Sequence, residues 1–386
     1  MNYRHSSLIV SMLLLSSLSA QAADVTKLKD VVIYRDDTFY SAFPSIVRRP
    51  DGELLVAFRR APEPRNFGNG PQTHTDPCSQ LVIVRSTDGG ETWTKEPQLL
   101  FAHPRGGLQD PCLLQLDDGS LLCSSYAWAL IPPGGPREKL KKPSAYNNFV
   151  FMGGTMYRSE DAGAHWRETL LPPTRGEPNL DPFNKPLPAY NRGAMCQLKD
   201  GRVCWATAME ATSAKRSTGV HLMISEDRGR TWNYSCAVAV DEKVQFNETS
   251  LYETPRGDLV AFMRTHEFDD HTTIARSRDG GKSFQKWQDA GFRGHPHHAI
   301  GLPDNRVLLV YGYRHAPFGI RARVLDAECT DFATAPEIVL RDDGGHEDLG
   351  YPWATVVGDD RALVVYYFNQ SDGTRHIAGT MVKIKP

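Results

Sequence analysis

Six positions lie nine residues ahead of a tight polar turn, and four of the six carry an ionisable side chain. They are Phe43 ahead of Gly52, Asp110 ahead of Gly119, Arg192 ahead of Gly201, Glu248 ahead of Gly257, Pro296 ahead of Asn305 and Tyr351 ahead of Asp360. Each alone reads as a solvated rim residue, and Tyr351 as an aromatic cap on a strand. Together at one register they point to a shared site, with carboxylates to move protons and a guanidinium to pair with an anion. Pro296 is flanked by His295 and His297 in the run His295-Pro-His297-His298, with His266 and His315 at matching strand ends. Histidine at this density suits general acid–base work or the holding of a polar ligand. No pair has helical metal-ligand spacing and no carboxylate accompanies the run, so neither a metal centre nor another cofactor is expected.

The elements that would position these residues are hairpins. Asp51-Gly52, Asp118-Gly119, Asp200-Gly201, Arg256-Gly257, Asp304-Asn305 and Asp359-Asp360 each separate two β-rich runs, and Asp-Gly between such runs is a strong hairpin signal. A second pattern, Ser-x-Asp-x-Gly-x-x-Trp/Phe, recurs at Ser86–Trp93, Ser159–Trp166, Ser225–Trp232 and Ser277–Phe284. Its Asp can bond its own backbone amides and its Gly permits a left-handed turn. In Leu325–Phe332 the pattern is degraded, and no copy follows it. Six paired hairpins predict a six-bladed all-β propeller of four-stranded antiparallel blades. The run Val31–Tyr34 is the candidate for the missing outer strand of the last blade, which ends near Val382. Within a blade, strands A to D count outward. Both turn types then fall on one face, and the strand-A starts with the B–C loops fall on the other, so the Ser-x-Asp turns are expected to be structural.

The recurring turn is the Asp box, and the chain resembles sialidase-type exo-glycosidases over nearly its whole length. Phe246-Asn247-Glu248-Thr-Ser250 is similar to the segment with the sialidase glutamate, and Gly350-Tyr351-Pro352 to that with the tyrosine nucleophile. The resemblance implies that Tyr351 attacks while Glu248 takes its proton, sialidases being an exception to the two-carboxylate rule. It also implies an arginine clamp on a substrate carboxylate. Arg264 resembles the second clamp arginine, and Arg314 or Arg321 the third. The first is missing, since the expected Arg-Ile-Pro reads Ala42-Phe43-Pro44; Arg59 or Arg192 would have to compensate. The family's acid is also displaced: its position reads Phe58-Arg59-Arg60, leaving Asp76 in the following loop or Asp110 on the ring. Either could instead cap a turn before proline. His297 is a further candidate for substrate binding.

Residues 1–22 read as a secretion signal, with Arg4 and His5 ahead of the apolar run Leu8–Leu18 and Ala20-Gln21-Ala22 as cleavage site. Residues 23–386 are then expected to form one propeller domain, secreted or periplasmic, with no membrane span. The 44 basic and 46 acidic residues nearly balance, which argues against a nucleic-acid partner. Seven cysteines leave at least one unpaired within the chain, and none sits in a Cys-x-x-Cys pair. The expected function is an exo-glycosidase that removes a terminal acidic sugar, sialic acid first, from a glycoconjugate, as a monomer. One alternative is a glycosidase or lyase acting on another sugar, such as a uronate, through histidine and tyrosine. Another is a carbohydrate-binding propeller without turnover.

Overall fold

A computed structural model describes residues 25–67, 74–131, 134–135, 149–174, 185–210 and 218–385. The expected leader lies outside them, as do residues 68–73 of the loop ahead of Asp76. The described residues form six four-stranded antiparallel sheets in a ring, a six-bladed β-propeller. Five blades are continuous in sequence, with strands A at Phe39–Arg48, Gly107–Gln115, Cys196–Gln197, Gln245–Glu253 and His297–Gly301. Blade six is built from Gly350–Val357, Arg361–Phe368 and His376–Ile384, and its outer strand is the N-terminal Val25–Tyr34. That strand pairs with the C-terminal one from Val25 opposite Ile384 to Tyr34 opposite Ile377, so the two ends of the chain close the ring as expected.

The near-continuous apolar runs have a simple cause. Alternate residues of a strand point to opposite faces of its sheet, and here both faces are covered by a neighbouring blade. In strand B of blade one, Leu54, Val56 and Phe58 pack in the seam with blade six, while Leu55 and Ala57 pack in the seam with blade two. In strand B of blade six, Leu363, Val365 and Tyr367 face blade one, and Ala362, Val364, Tyr366 and Phe368 face blade five. The core is thus divided among the seams between neighbouring blades. Truncating a fully buried leucine in such a seam costs about 2–5 kcal/mol.

The four intact Asp boxes staple blades one to four each to the blade before it. Asp227 accepts hydrogen bonds from the Ser225 hydroxyl, the Arg230 and Thr231 amides and the Thr231 hydroxyl. The glycine of the Ser-x-Asp-x-Gly pattern has a left-handed φ, 80° at Gly229 and 86° at Gly281. It also sits against a leucine of the preceding blade: a Cβ would come within 2.4 Å of Leu122 at Gly229 and 2.7 Å of Leu222 at Gly281. The degraded copy in blade five keeps part of this bonding, since Asp326 accepts from the Glu328 and Thr330 amides. Arg202, beside an A–B turn, donates to Gly280 of the next blade's Asp box, which puts both turn types on one face. Asp227→Ala is expected to lower stability by about 1–2 kcal/mol through the lost turn bonds. Equilibrium denaturation measures that loss, and whatever specific activity the protein shows should be unchanged in the folded fraction.

Candidate active site

The face opposite the Asp boxes gathers the ring residues, and irregular backbone aims them. Blades one, two, four and six each carry a register shift where strand A begins, at Phe43, Asp110, Glu248 and Tyr351. A bulge re-aims a side chain that the regular alternation would send into a seam. Three of these residues also hold a left-handed backbone, with φ of 56° at Phe43, 34° at Asp110 and 52° at Tyr351. Such conformations cost about 1–3 kcal/mol each in non-glycine residues and persist where the surroundings enforce them.

At the centre, the Tyr351 hydroxyl donates to Glu248 Oε1 at 2.5 Å. Arg264 Nη1 lies 2.7 Å from Glu248 Oε2 and 3.0 Å from the Tyr351 oxygen, so one guanidinium nitrogen touches both partners. Burial alone would raise the Glu248 carboxyl, but the Arg264 and Arg192 charges outweigh it and hold its pKa below the usual value. Burial, reinforced by the Glu248 charge, raises the Tyr351 phenol. The resting pair is therefore a carboxylate beside a neutral phenol. Glu248 and Arg264 each retain 13 % side-chain exposure, while Tyr351 is buried beneath them.

Around it stand three more arginines. Arg192 reaches from blade three across the axis to the carbonyls of Pro44 and Tyr351, both at 3.3 Å, with its guanidinium 4.5 Å from the Tyr351 ring centre. Arg314 binds the Leu349 carbonyl and the Tyr367 hydroxyl and lies 5.1 Å over the same ring. Arg59, directly opposite Ala42 across the blade-one hairpin, is fully buried. Its Nε donates to Ser79, while Nη1 and Nη2 have no hydrogen-bond partner among the described residues. Nε and Nη1 of Arg192 and Nε of Arg264 are likewise without partners. Buried guanidinium donors of this kind cost stability unless an anion meets them.

Asp110 enters the mouth from blade two. It is 1 % exposed, and its Oδ1 has no hydrogen-bond partner. Burial, then the nearby Glu248 charge, pushes its pKa up to about 6 against the opposing pull of Arg192, His74 and Arg59. The adjacent Tyr126 phenol is pushed well above its usual value by burial and by the Asp110 charge. Asp76 instead caps a turn, accepting from the Cys78 amide at 2.7 Å, and contributes to the site through the field it exerts on Arg59.

Two other candidates are spent elsewhere. Arg321, on strand C of blade five, donates to the carbonyls of Ile320, Arg341 and Pro317 and stacks on Tyr313. His297 is buried against Thr272, 2.8 Å from its hydroxyl, and burial pushes its pKa down to about 3. His298 stacks on Trp353 and accepts from the Ala354 amide. These histidines follow Pro296 into the strand, where alternation turns one toward blade four and the next toward blade six. All seven cysteines are free. Among the described residues no group of three His, Cys, Asp or Glu is arranged to hold a metal, and no helix is long and apolar enough to cross a membrane.

One residue at the mouth is absent from the sequence-based set. Asp348 accepts from the Tyr40 and Tyr367 hydroxyls at 2.9 and 2.8 Å, from Arg375 Nε at 3.0 Å and faces His74 Nε2 at 3.2 Å. It thereby fixes Tyr367, to which Arg314 is bound. The other end of the axis opens as a cleft of about 400 Å³ among residues including Arg48, Gln115, Ile300 and Thr355, with no carboxylate–phenol pair along it.

The model of the BNR repeat-like domain matches residues 145–364, and that of the BNR/Asp-box repeat matches residues 84–95. The chain belongs to the BNR repeat-like family. Its propeller is of the sialidase-like kind. Among solved structures, a Dyadobacter fermentans protein of unknown function is 56% identical, with a TM-score of 0.91 over 94% of this chain and 100% of that one. The NanB sialidase from Streptococcus pneumoniae is 16% identical, with a TM-score of 0.63 over 93% of this chain and 70% of that one. An alpha-L-arabinanase from Penicillium chrysogenum, complexed with arabinobiose, is 14% identical, with a TM-score of 0.63 over 93% and 99%. No curated protein matches. The two low-identity likenesses describe the fold that this BNR propeller shares with glycoside hydrolases.

The unpaired donors of Arg59 generate a stability prediction. Arg59→Met removes a buried charge while keeping much of the volume, so the unliganded protein is expected to be at least as stable as the parent, by on the order of 1 kcal/mol. Thermal melts measure this. A marked drop in melting temperature would mean that Arg59 is a structural ion-pair residue and not a ligand-binding one.

Proposed function

We propose that the protein is an exo-glycosidase that removes a terminal acidic sugar from a glycoconjugate. The observation that carries this reading is the Tyr351–Glu248 contact of 2.5 Å, bridged by Arg264, with Glu248 and Arg264 each partly exposed. A sugar whose anomeric carbon bears a carboxylate repels an anionic nucleophile. A neutral phenol that loses its proton only as the new bond forms avoids that repulsion. In this reading the Tyr351 oxygen attacks the anomeric carbon and Glu248 takes the phenol proton. Asp110 gives its proton to the leaving oxygen, and water then hydrolyses the sugar–tyrosine bond with Asp110 acting as base. The unpaired donors of Arg59, Arg192 and Arg264, with Arg314, meet the substrate carboxylate.

A second reading keeps the machinery and changes the sugar. Ala42 stands where a sialidase-like chain would carry its first clamp arginine, and its neighbour Phe43 packs on Tyr351 with ring centres 4.8 Å apart. That favours a different acidic sugar, such as a uronate, over sialic acid. Lyase chemistry through His297 or His298 has less support, since both are buried in blade seams and held by backbone or hydroxyl groups.

The assay is release of free sugar from paired sialosides and glucuronides. Tyr351→Phe keeps the ring packing and removes the attacking oxygen, so turnover is expected to fall at least about a hundredfold with little change in melting temperature. Glu248→Gln should match it, and the double variant should be barely worse than either. Loss of all three effects, with activity retained, overturns the nucleophile assignment.

The raised Asp110 pKa adds a pH dependence. Because Asp110 must hold its proton to act as acid, turnover is expected to fall as pH rises through about 6. Asp110→Asn should abolish that limb and slow turnover of substrates with poor leaving groups by about a hundredfold. An unchanged limb in this variant assigns the titration to another group.

A further inference from the structure

We propose that His74, held by Asp348, contacts the sugar at the blade-one corner of the mouth and presents Nδ1 to one of its hydroxyl groups. This rests on the reading of the mouth as a sugar site. His74 lies on the B–C loop of blade one, 46 % exposed, with Nε2 3.2 Å from Asp348 Oδ1. Its ring meets Phe43 edge-on, with centres 5.5 Å apart, and Phe43 meets Tyr351 edge-on in turn. His74 also lies within electrostatic reach of Asp110 on blade two. The imidazole is thus bonded to the carboxylate of blade six and stands one aromatic ring from the phenol. No described residue bonds its Nδ1.

The environment of Asp348 determines which nitrogen carries the proton. Burial opposes ionisation of Asp348, but the His74 hydrogen bond and the charges of Arg375 and Arg314 hold its carboxyl far below the usual range. An ionised carboxylate only accepts, so the nitrogen facing it must donate. That fixes the proton of neutral His74 on Nε2 and leaves a lone pair on Nδ1. A lone pair accepts from a hydroxyl and repels a carboxylate. The corner where Ala42 and Phe43 stand in place of an arginine would then read a sugar hydroxyl, while the guanidinium groups opposite read the acid. His74 is a ligand-contacting residue in this scheme, and Asp348 is a positioning residue that acts through it and through Tyr367.

The test uses the full chain, uniformly labelled with nitrogen-15. Two-bond proton–nitrogen spectra of the ring, assigned with His74→Gln, report which nitrogen carries the proton when the ring is neutral. That nitrogen is expected to be Nε2, and Asp348→Asn should shift the proton toward Nδ1. Addition of millimolar N-acetylneuraminic acid or D-glucuronic acid should move the Nδ1 resonance. On the substrate that is turned over, His74→Ala should raise KM about tenfold with kcat changed less than about threefold. His74→Gln, which restores an acceptor, should recover part of the loss. A neutral ring protonated on Nδ1 in the parent protein, an Nδ1 resonance unmoved by both sugars, or an unchanged KM in His74→Ala overturns the proposal. Sugar-induced movement of Nδ1 without turnover overturns the glycosidase reading and leaves the contact standing. Turnover with an unmoved Nδ1 does the reverse.

Discussion

Everything at the mouth depends on placing like and unlike charges around one phenol in a space where water is scarce. Tyr351 is in contact with Glu248 and Arg264, lies under Arg192 and Arg314, and packs on Phe43. In such surroundings a lone carboxylate would take up a proton and a lone guanidinium would be costly to bury. The two signs are tolerable because they are interleaved. Glu248 stays ionised because arginines flank it, while Asp110, with weaker compensation and the Glu248 charge nearby, is driven toward its protonated form. Two carboxyls of the same mouth are thereby pushed in opposite directions, which is the condition for one to act as base and the other as acid.

The backbone contributes by holding side chains against their natural direction. A regular strand A would send alternate residues into the two seams, as it does with His297 and His298. The register shifts at Phe43, Asp110, Glu248 and Tyr351 break that alternation at the rim. Left-handed non-glycine backbone also occurs on the far face, at Ala162 and Arg228 of two Asp boxes, where it belongs to the turn itself.

Most of the fold was legible because it is repeated. The Asp-Gly hairpins mark the A–B turns, and counting nine residues back reached Phe43, Asp110, Arg192, Glu248 and Tyr351, which the structure brings to one mouth. The closing strand was legible from the missing outer strand of blade six. Direction within a strand was less so. His297 and Arg321 lie near the mouth in sequence, but each side chain points into packing or toward backbone carbonyls. Spacing also does not report burial, which sets the fully buried Asp110 apart from the partly exposed Asp76. Asp348 escaped altogether, since its partners Tyr40, His74, Tyr367 and Arg375 come from other parts of blades one and six and no local pattern joins them. Its nearness to Tyr351 in sequence was the only signal.

The most direct test of the account is to trap the intermediate. A fluorinated acidic glycosyl fluoride that forms a slow-turnover bond to the nucleophile, followed by proteolysis and mass spectrometry, reads out the labelled residue. The account predicts one sugar per chain, attached to the Tyr351 oxygen and lost on long incubation. A label on Glu248 or Asp110, or full inactivation without any adduct at Tyr351, would contradict it.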